Sequence, residues 1–223
     1  EERIFGELAG IAAAVFDLDG LISEREVEGL VRRWVAGTDG EYAVVLVDRR
    51  SDEFFLFNDR LGRLPVYYMR DDGYTCVCRN PYYILDNFPP RGFDRNAVAE
   101  YLLLGHPLGE KTLMKGVRQL KGGSLISSGG VTGSSSVWNL FEYDFDERTG
   151  DSTSLDRHAD NIISMIRNAC SKRIDESYDN VLALSGGLDS RTVAICLKGL
   201  GVDFSATTFV DSYGIVEPDA KYA

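Results

Sequence analysis

Basic residues are scarce in this 223-residue sequence: 24 Lys and Arg stand against 35 Asp and Glu, a net charge of −11. A surface that tracks a phosphate backbone needs the opposite balance, so no nucleic acid is expected as a partner. Long apolar runs are missing too. No stretch of about 18 apolar residues occurs, so no membrane-spanning helix is predicted. The opening Glu1-Glu2-Arg3-Ile4-Phe5 is acidic with a short apolar stretch behind it, unlike a secretory leader, and a cytoplasmic protein is expected. Only four cysteines occur, Cys76, Cys78, Cys170 and Cys196, too few and too scattered for a disulfide framework. Cys76 and Cys78 are two apart and cannot form a CxxC metal knuckle, so small buried or half-buried thiols are expected. The two histidines, His106 and His158, have no companions that suggest a triad or a metal site. An initiator Met is also absent, and a piece of a longer gene product is expected.

What is present reads as two domains, 1–145 and 146–223. Ala12 to Phe16 looks like a buried strand ending at the turn Asp17 to Gly20, followed by a capping box of Ser23 with Glu26. Val27, Leu30, Val31 and Trp34 then recur at helical spacing, and Gly37 to Gly40 breaks that helix. Strands rich in β-branched and aromatic residues follow at Tyr42 to Val47, Glu53 to Phe57, Val66 to Met69 and Tyr74 to Val77. Apolar residues on both parities of Tyr42 to Val47 imply a strand covered on both faces. Tyr67-Tyr68 and Phe54-Phe55 read as core and sheet packing. Asp94 should cap a helix through Val98, Tyr101 and Leu102. A turn-rich stretch from Gly105 to Gly133 contains a short strand near Ser124 to Ile126.

The polar run Asp144 to Ser152 reads as a linker, and its acidic cluster as a solvated one. Beyond it, Leu155, Ala159, Ile162, Ile163, Ile166, Ala169 and Cys170 trace one face of an amphipathic helix. Asn180 to Leu184 reads as a buried parallel strand, Arg191 to Leu200 as a helix and Val202 to Phe209 as a second strand. That order predicts the start of a doubly wound α/β domain.

Between the first of those strands and its helix lies Ser185-Gly186-Gly187-Leu188-Asp189-Ser190. Gly186 and Gly187 let the backbone turn its N–H groups toward one point. The helix behind adds its dipole and unpaired N–H groups, which favours an anion. Ser185 and Ser190 can donate to phosphate oxygens. Asp189 would repel phosphate directly, so its sensible role is to hold Mg²⁺. This is no Walker A loop, because no Lys follows the glycines to reach a γ-phosphate. A β,γ-pyrophosphate cradle suits attack at the α-phosphorus, in which a carboxylate displaces pyrophosphate. Arg191, a cation in the first turn of a helix, reads equally as a phosphate contact or a solvated side chain.

At these residues the chain resembles the PP-loop ATP pyrophosphatases (adenine nucleotide alpha hydrolase-like), which share Ser-Gly-Gly-x-Asp-Ser. Asn58-Asp59-Arg60-Leu61-Gly62-Arg63-Leu64-Pro65-Val66-Tyr67-Tyr68 is similar to the Arg-Asp-x-x-Gly-x-x-Pro-Leu-Tyr-Tyr segment of the asparagine synthetase family. Gly40 to Val44, Leu113 to Leu125 with Trp138, and Pro218 to Ala223 resemble further segments of that family in order. The resemblance implies an α+β, Ntn-type αββα glutaminase-like domain over 1–145, followed by the first part of a PP-loop synthetase domain over 146–223. It implies ATP and Mg²⁺ as cofactors, a small-molecule carboxylate and an amine donor as partners, glutamine as one such donor, and a homodimer as an assembly open to it. Adenine contacts carried over from the family fall on Leu184 and Val210.

The likeness departs at two places. The family's glutaminase uses an N-terminal Cys as nucleophile, whereas all four cysteines here are internal. Its Asn-Gly-Glu aligns with Asp19-Gly20-Leu21, and Leu21 offers an amide nothing. The family's later lysine and second phosphate-side glycine loop fall beyond Ala223, so this chain alone is expected to be inactive. Three readings stay open: an asparagine-synthetase-like, amide-forming ligase; a glutaminase-dead relative of the β-lactam synthetase kind that uses another amine; and a non-catalytic scaffold or regulatory homologue.

Overall fold

The computed structural model describes residues 2–15, 24–48, 53–71, 74–88, 91–128, 135–141, 155–175 and 177–208. The chain divides into two compact units, Glu1–Phe145 and Asp146–Ala223.

The first unit opens with helices α1 (Glu2–Val15) and α2 (Glu24–Gly37). The expected strand at Ala12 to Phe16 is therefore corrected as far as Val15, which ends α1; Phe16 lies outside the described residues. Alanine is the strongest helix former, and Ile11 gains burial by packing with Val27, Val31 and Val35 of α2. A short apolar run alone carries no period to separate helix from strand. The turn Asp17 to Gly20 and the cap Ser23 also lie outside the described residues.

Two antiparallel sheets follow. One runs β1-β2-β6-β7, from Ala43–Asp48, Glu53–Asn58, Ser124–Ser128 and Ser135–Asn139. The other runs β4-β3-β5, from Tyr74–Cys78, Tyr67–Asp71 and Val117–Gln119. Three apolar clusters stack these into layers. Val27, Val31 and Val35 of α2 meet Phe57 and Leu125 on one face of the four-stranded sheet. Leu56 and Ile126 on its other face meet Tyr68 of the three-stranded sheet, with Val66 and Leu120. Met69 and Val117 on the far face of that second sheet meet Ile84 of α3 (Pro81–Asn87). The order is helix, sheet, sheet, helix, which is the αββα layering expected of this unit. Alternate residues of β2 and β6 serve opposite clusters, as the period of two along a strand requires.

Strand β1 is an edge, and its two-sided cover is corrected. Val45 and Val47 are 50% and 58% exposed, while Val44 and Leu46 pack inward against the α2 side. Four strands face three, so the outer strand is left open on one side.

Helix α4 (Arg95–Leu104) starts where expected. Asp94 accepts from Asn96 N and Ala97 N at 3.0 and 3.1 Å, and Gly105 closes the helix in the left-handed region. Three elements were not anticipated: α3, β5 and β7.

The second unit holds α5 (Leu155–Ser171), β8 (Asn180–Ala183), α6 (Leu188–Gly199) and β9 (Phe204–Thr207). Strands β8 and β9 pair in parallel with α6 between them, and α6 packs on α5. Strand β9 is shorter than the expected Val202 to Phe209. The expected apolar stripe of α5 has no buried side chain; Leu155 and Ile162 are largely exposed. The linker Asp144 to Ser152 lies outside the described residues. No helix among the described residues is long and apolar enough to cross a membrane.

Candidate functional site

The glycine loop of the second unit leaves the carboxyl end of β8. Leu184 N–H donates to Thr207 O at 2.8 Å, which extends the parallel ladder by one bond and fixes where the loop begins. Ser185 N–H then donates to Ser190 Oγ, and Ser190 Oγ lies within hydrogen-bond distance of both Ser185 Oγ and Ser185 O, each at 3.0 Å. Ser190, one turn into α6, is thus the clasp that closes the loop.

Gly187 is the N-cap of α6 and carries no capping side chain. A Cβ on Gly187 would stand 3.3 Å from Ser185 Oγ. The first N–H groups of α6 therefore have no side-chain acceptor at the cap, which leaves a donor set suited to an anion. Asp189 lies in the first turn and is exposed, as is Leu188. Arg191 bends back so that its Nε donates to Gly187 O at 3.2 Å, a contact with the cap itself. Six consecutive residues, Ser185 to Ser190, are brought to one place. Leu184 is half-buried at the base of the loop, whereas Val210 lies outside the described residues.

No group of three or more His, Cys, Asp or Glu suited to a metal ion occurs among the described residues. The single carboxylate Asp189 nevertheless fits Mg²⁺, which is bound by one or two carboxylates with substrate phosphates completing its shell.

The first unit carries a second candidate. The link from α2 to β1 and the turn after β2 enclose a cleft of about 280 Å³ lined by Thr38, Asp39, Gly40, Asp59, Arg60, Leu61 and Arg63. Asp59 builds the turn: its carboxylate accepts Leu61 N–H at 3.0 Å and Arg63 N–H at 3.2 Å, and its carbonyl accepts Gly62 N–H and Gly123 N–H. Asn58, fully buried, ties the same turn to the neighbouring chain segment. Its Nδ2 donates to Lys121 O and its Oδ1 accepts Ser124 N–H, both at 3.0 Å. Gly62 has φ +61, and a Cβ there would lie 2.9 Å from Gly122 N. The Asn58 to Gly62 pattern is thus a device for crossing two backbones closely.

Charge in the cleft is mixed. Asp39 and Asp59 line it together with Arg60 and Arg63. Arg60 lies over the Phe141 ring at 4.7 Å, and Arg63 reaches Glu41 at 3.8 Å. Beside it, Tyr42 is pushed up to about 12 by burial and by the nearby Asp59 and Asp39. Its hydroxyl is buried without a hydrogen-bond partner among the described residues. Sequence reading missed Asp39, Arg60 and Arg63 as a group. Their only signal was the turn motif between them.

Neither Cys76 nor Cys78 lines the cleft of their unit. Cys76 and Cys78 lie in β4, Cys170 in α5 and Cys196 in α6, all free. Burial pushes the thiols of Cys76, Cys78 and Cys170 up, away from a thiolate.

Comparison with known proteins gives one family. The Glutamine amidotransferase domain matches residues 24–138, just over half of the chain. No curated protein matches the chain. A solved structure of glutamine phosphoribosylpyrophosphate (PRPP) amidotransferase from B. subtilis, complexed with ADP and GMP, is similar at 9% identity with a TM-score of 0.30. The likeness covers 93% of this chain and 44% of that one.

Proposed function

This chain belongs to the glutamine amidotransferase domain family, and from that premise we propose that it serves an ATP-dependent ligase that forms an amide on a small carboxylate. The family supplies the nitrogen side of that reaction, because its domain implies transfer of an amide nitrogen with glutamine as a donor. The cleft of the first unit supports the same reading. Asp39 together with Arg60 and Arg63 offers an anion for an α-ammonium and cations for an α-carboxylate, the two charges of a free amino acid.

The observation that carries the ATP side is the glycine loop: a parallel strand, a tight Ser-Gly-Gly turn and an uncapped helix. In the proposed reaction a carboxylate oxygen bonds to the α-phosphorus of ATP and the bond to the β,γ-pyrophosphate breaks. Nitrogen then attacks the acyl carbon of the resulting adenylate and AMP leaves. The N–H groups at the start of α6 hold the departing pyrophosphate, and Gly187 leaves room for it. Asp189 is the residue that would hold Mg²⁺, and the ion would supply neutralisation of the charge that develops on the phosphates. Ser190 keeps the loop closed in the meantime.

The test is calorimetric titration of the full chain with Mg·ATP. Binding is expected, together with its weakening in Gly187→Ala, whose Cβ would stand 3.3 Å from Ser185 Oγ and displace that hydroxyl. No heat with the unaltered chain at millimolar nucleotide would sink the ATP assignment.

A second reading is favoured by the thiols. Neither Cys76 nor Cys78, the cysteines of the first unit, lines the cleft. In that reading the amine is delivered as such, and the first unit binds an amino acid without hydrolysing it. Ammonia release from glutamine separates the two.

A further inference from the structure

Between the outer face of the three-stranded sheet and α3 lies a cavity of about 230 Å³ that shares no lining residue with the mixed-charge cleft. Its walls are Met69, Ile84, Phe88, Met114 and Val117, and almost all of its surface is apolar. We propose that this cavity is a binding site for a small amphipathic monocarboxylate, its apolar body among those side chains and its carboxylate on Lys115.

Size, charge and preformed walls argue for that occupant. An apolar cavity of about 150 Å³ can hold benzene, so this one takes an aromatic ring with a short chain, or an alkyl chain of similar bulk. Drug-sized ligands need more room.

The rim carries two cations, Arg91 and Lys115, in a chain whose net charge is −11. They are not equivalent. Arg91 lies across Gly116, where a Cβ would stand 3.2 Å from its Cδ, and it is already paired with Asp71, which also accepts from Tyr74 OH. Among the described residues, no ion pair or hydrogen bond engages Lys115 Nζ. Lys115 is the cation left for a ligand.

The outer wall is also built in advance. Lys115 N–H donates to Gly92 O at 3.0 Å, Asp94 N–H to Leu113 O at 2.9 Å, and Phe93 bridges Met114, so both rim segments are fixed by backbone bonds. Phe93 is 73% exposed where it borders the opening. An apolar ligand there would recover area that water now covers.

The chain's three methionines make the test selective. Met69 and Met114 line the cavity, whereas Met165 lies in α5 of the other unit. The full chain, labelled with ¹³C at the methionine methyls, is titrated with 4-phenylbutyrate and separately with the neutral 4-phenylbutan-1-ol. The expected result is movement of the Met69 and Met114 signals with Met165 unmoved, and a preference for the acid of about ten-fold, the size of one charge-assisted contact. Lys115→Glu, an exposed change, should abolish that preference while leaving the alcohol's affinity unchanged. Equal affinity for acid and alcohol, retention of the preference in Lys115→Glu, or no shift at about 5 mM acid, a bound of about −3 kcal/mol, would each overturn the proposal. Equal movement of all three signals would do the same, by making the binding unselective. Nothing in this experiment involves ATP or glutamine.

Discussion

Replacing Asn58 by Ala should be among the most damaging single changes in the first unit. The side chain is fully buried and holds two backbone groups that have no other partner described: Lys121 O and Ser124 N–H, both at 3.0 Å. Each orphaned buried group costs about 1–3 kcal/mol. Ser124 is itself fully buried and pays in full, whereas Lys121 is exposed and its carbonyl can recruit water. The sum is about 2–4 kcal/mol, with the loss of packing under Gly62 adding to the upper end. The assay is convenient, because both tryptophans, Trp34 and Trp138, pack against the core of this unit. Their fluorescence follows its unfolding in urea. With a slope of about 1–3 kcal/mol per molar, the midpoint should fall by about 1–2 M. A midpoint within about 0.3 M of the unaltered protein, at equal slope, would refute the claim that this amide is what joins the 59–63 turn to the 121–124 segment.

Further outcomes follow from the same geometry. Gly122→Ala should destabilise the first unit by at least about 2 kcal/mol, since its Cβ would sit 2.5 Å from Leu61 C and 2.6 Å from Arg60 O, backbone atoms that cannot swing aside. Tyr42→Phe should leave the urea midpoint unchanged or raise it, because it removes a buried hydroxyl without a partner; a clear fall would mean the hydroxyl is satisfied. The proton of Tyr42 is held more tightly in the folded state, so its contribution to stability is complete below pH 10 and is lost as pH rises toward about 12. The phenolate absorbance lost in Tyr42→Phe should accordingly be the part titrating last, and its appearance near pH 10 would contradict the burial. Asp189→Asn should weaken Mg·ATP binding without changing unfolding, by about ten-fold in a calorimetric titration, as expected for loss of one metal contact. With a thiol reagent at pH 8, Cys76, Cys78 and Cys170 should react slowly, and fast reaction at any of the three would overturn the reading of them as inert.

How far the sequence could be read depended on the range of the forces involved. The Asp94 cap and the clasped Ser185 to Ser190 loop were legible because the residues that act together lie within six positions of each other. The strands β2, β3 and β4 were legible because β-branched and aromatic residues fill them. By contrast β5 spans only Val117–Gln119 and exists through its pairing with β3, and β7 is a polar run held by β6. Neither has a local signature. Ala12 to Val15 turned out helical for a reason that also lies elsewhere, the burial of Ile11 against α2.

The mixed-charge cleft is the sharpest case of this dependence. Asp39 and Arg60 are separated by two strands, and the antiparallel pairing of those strands, closed by Asp59 N–H donating to Tyr42 O, brings them to one opening, while the crossing at Gly62 and Gly122, residues sixty positions apart, holds the turn on the Arg60 side. A glycine in a sequence announces freedom, not its partner. Only the Asn58 bonds to Lys121 and Ser124 say which backbone comes close, and so what holds the turn that carries Arg60 and Arg63. The residues that bind are therefore readable only once the residues that position them have been placed. For that reason the structural turn from Asn58 to Arg63, rather than any cysteine, carries the first unit's claim to an amino-acid site.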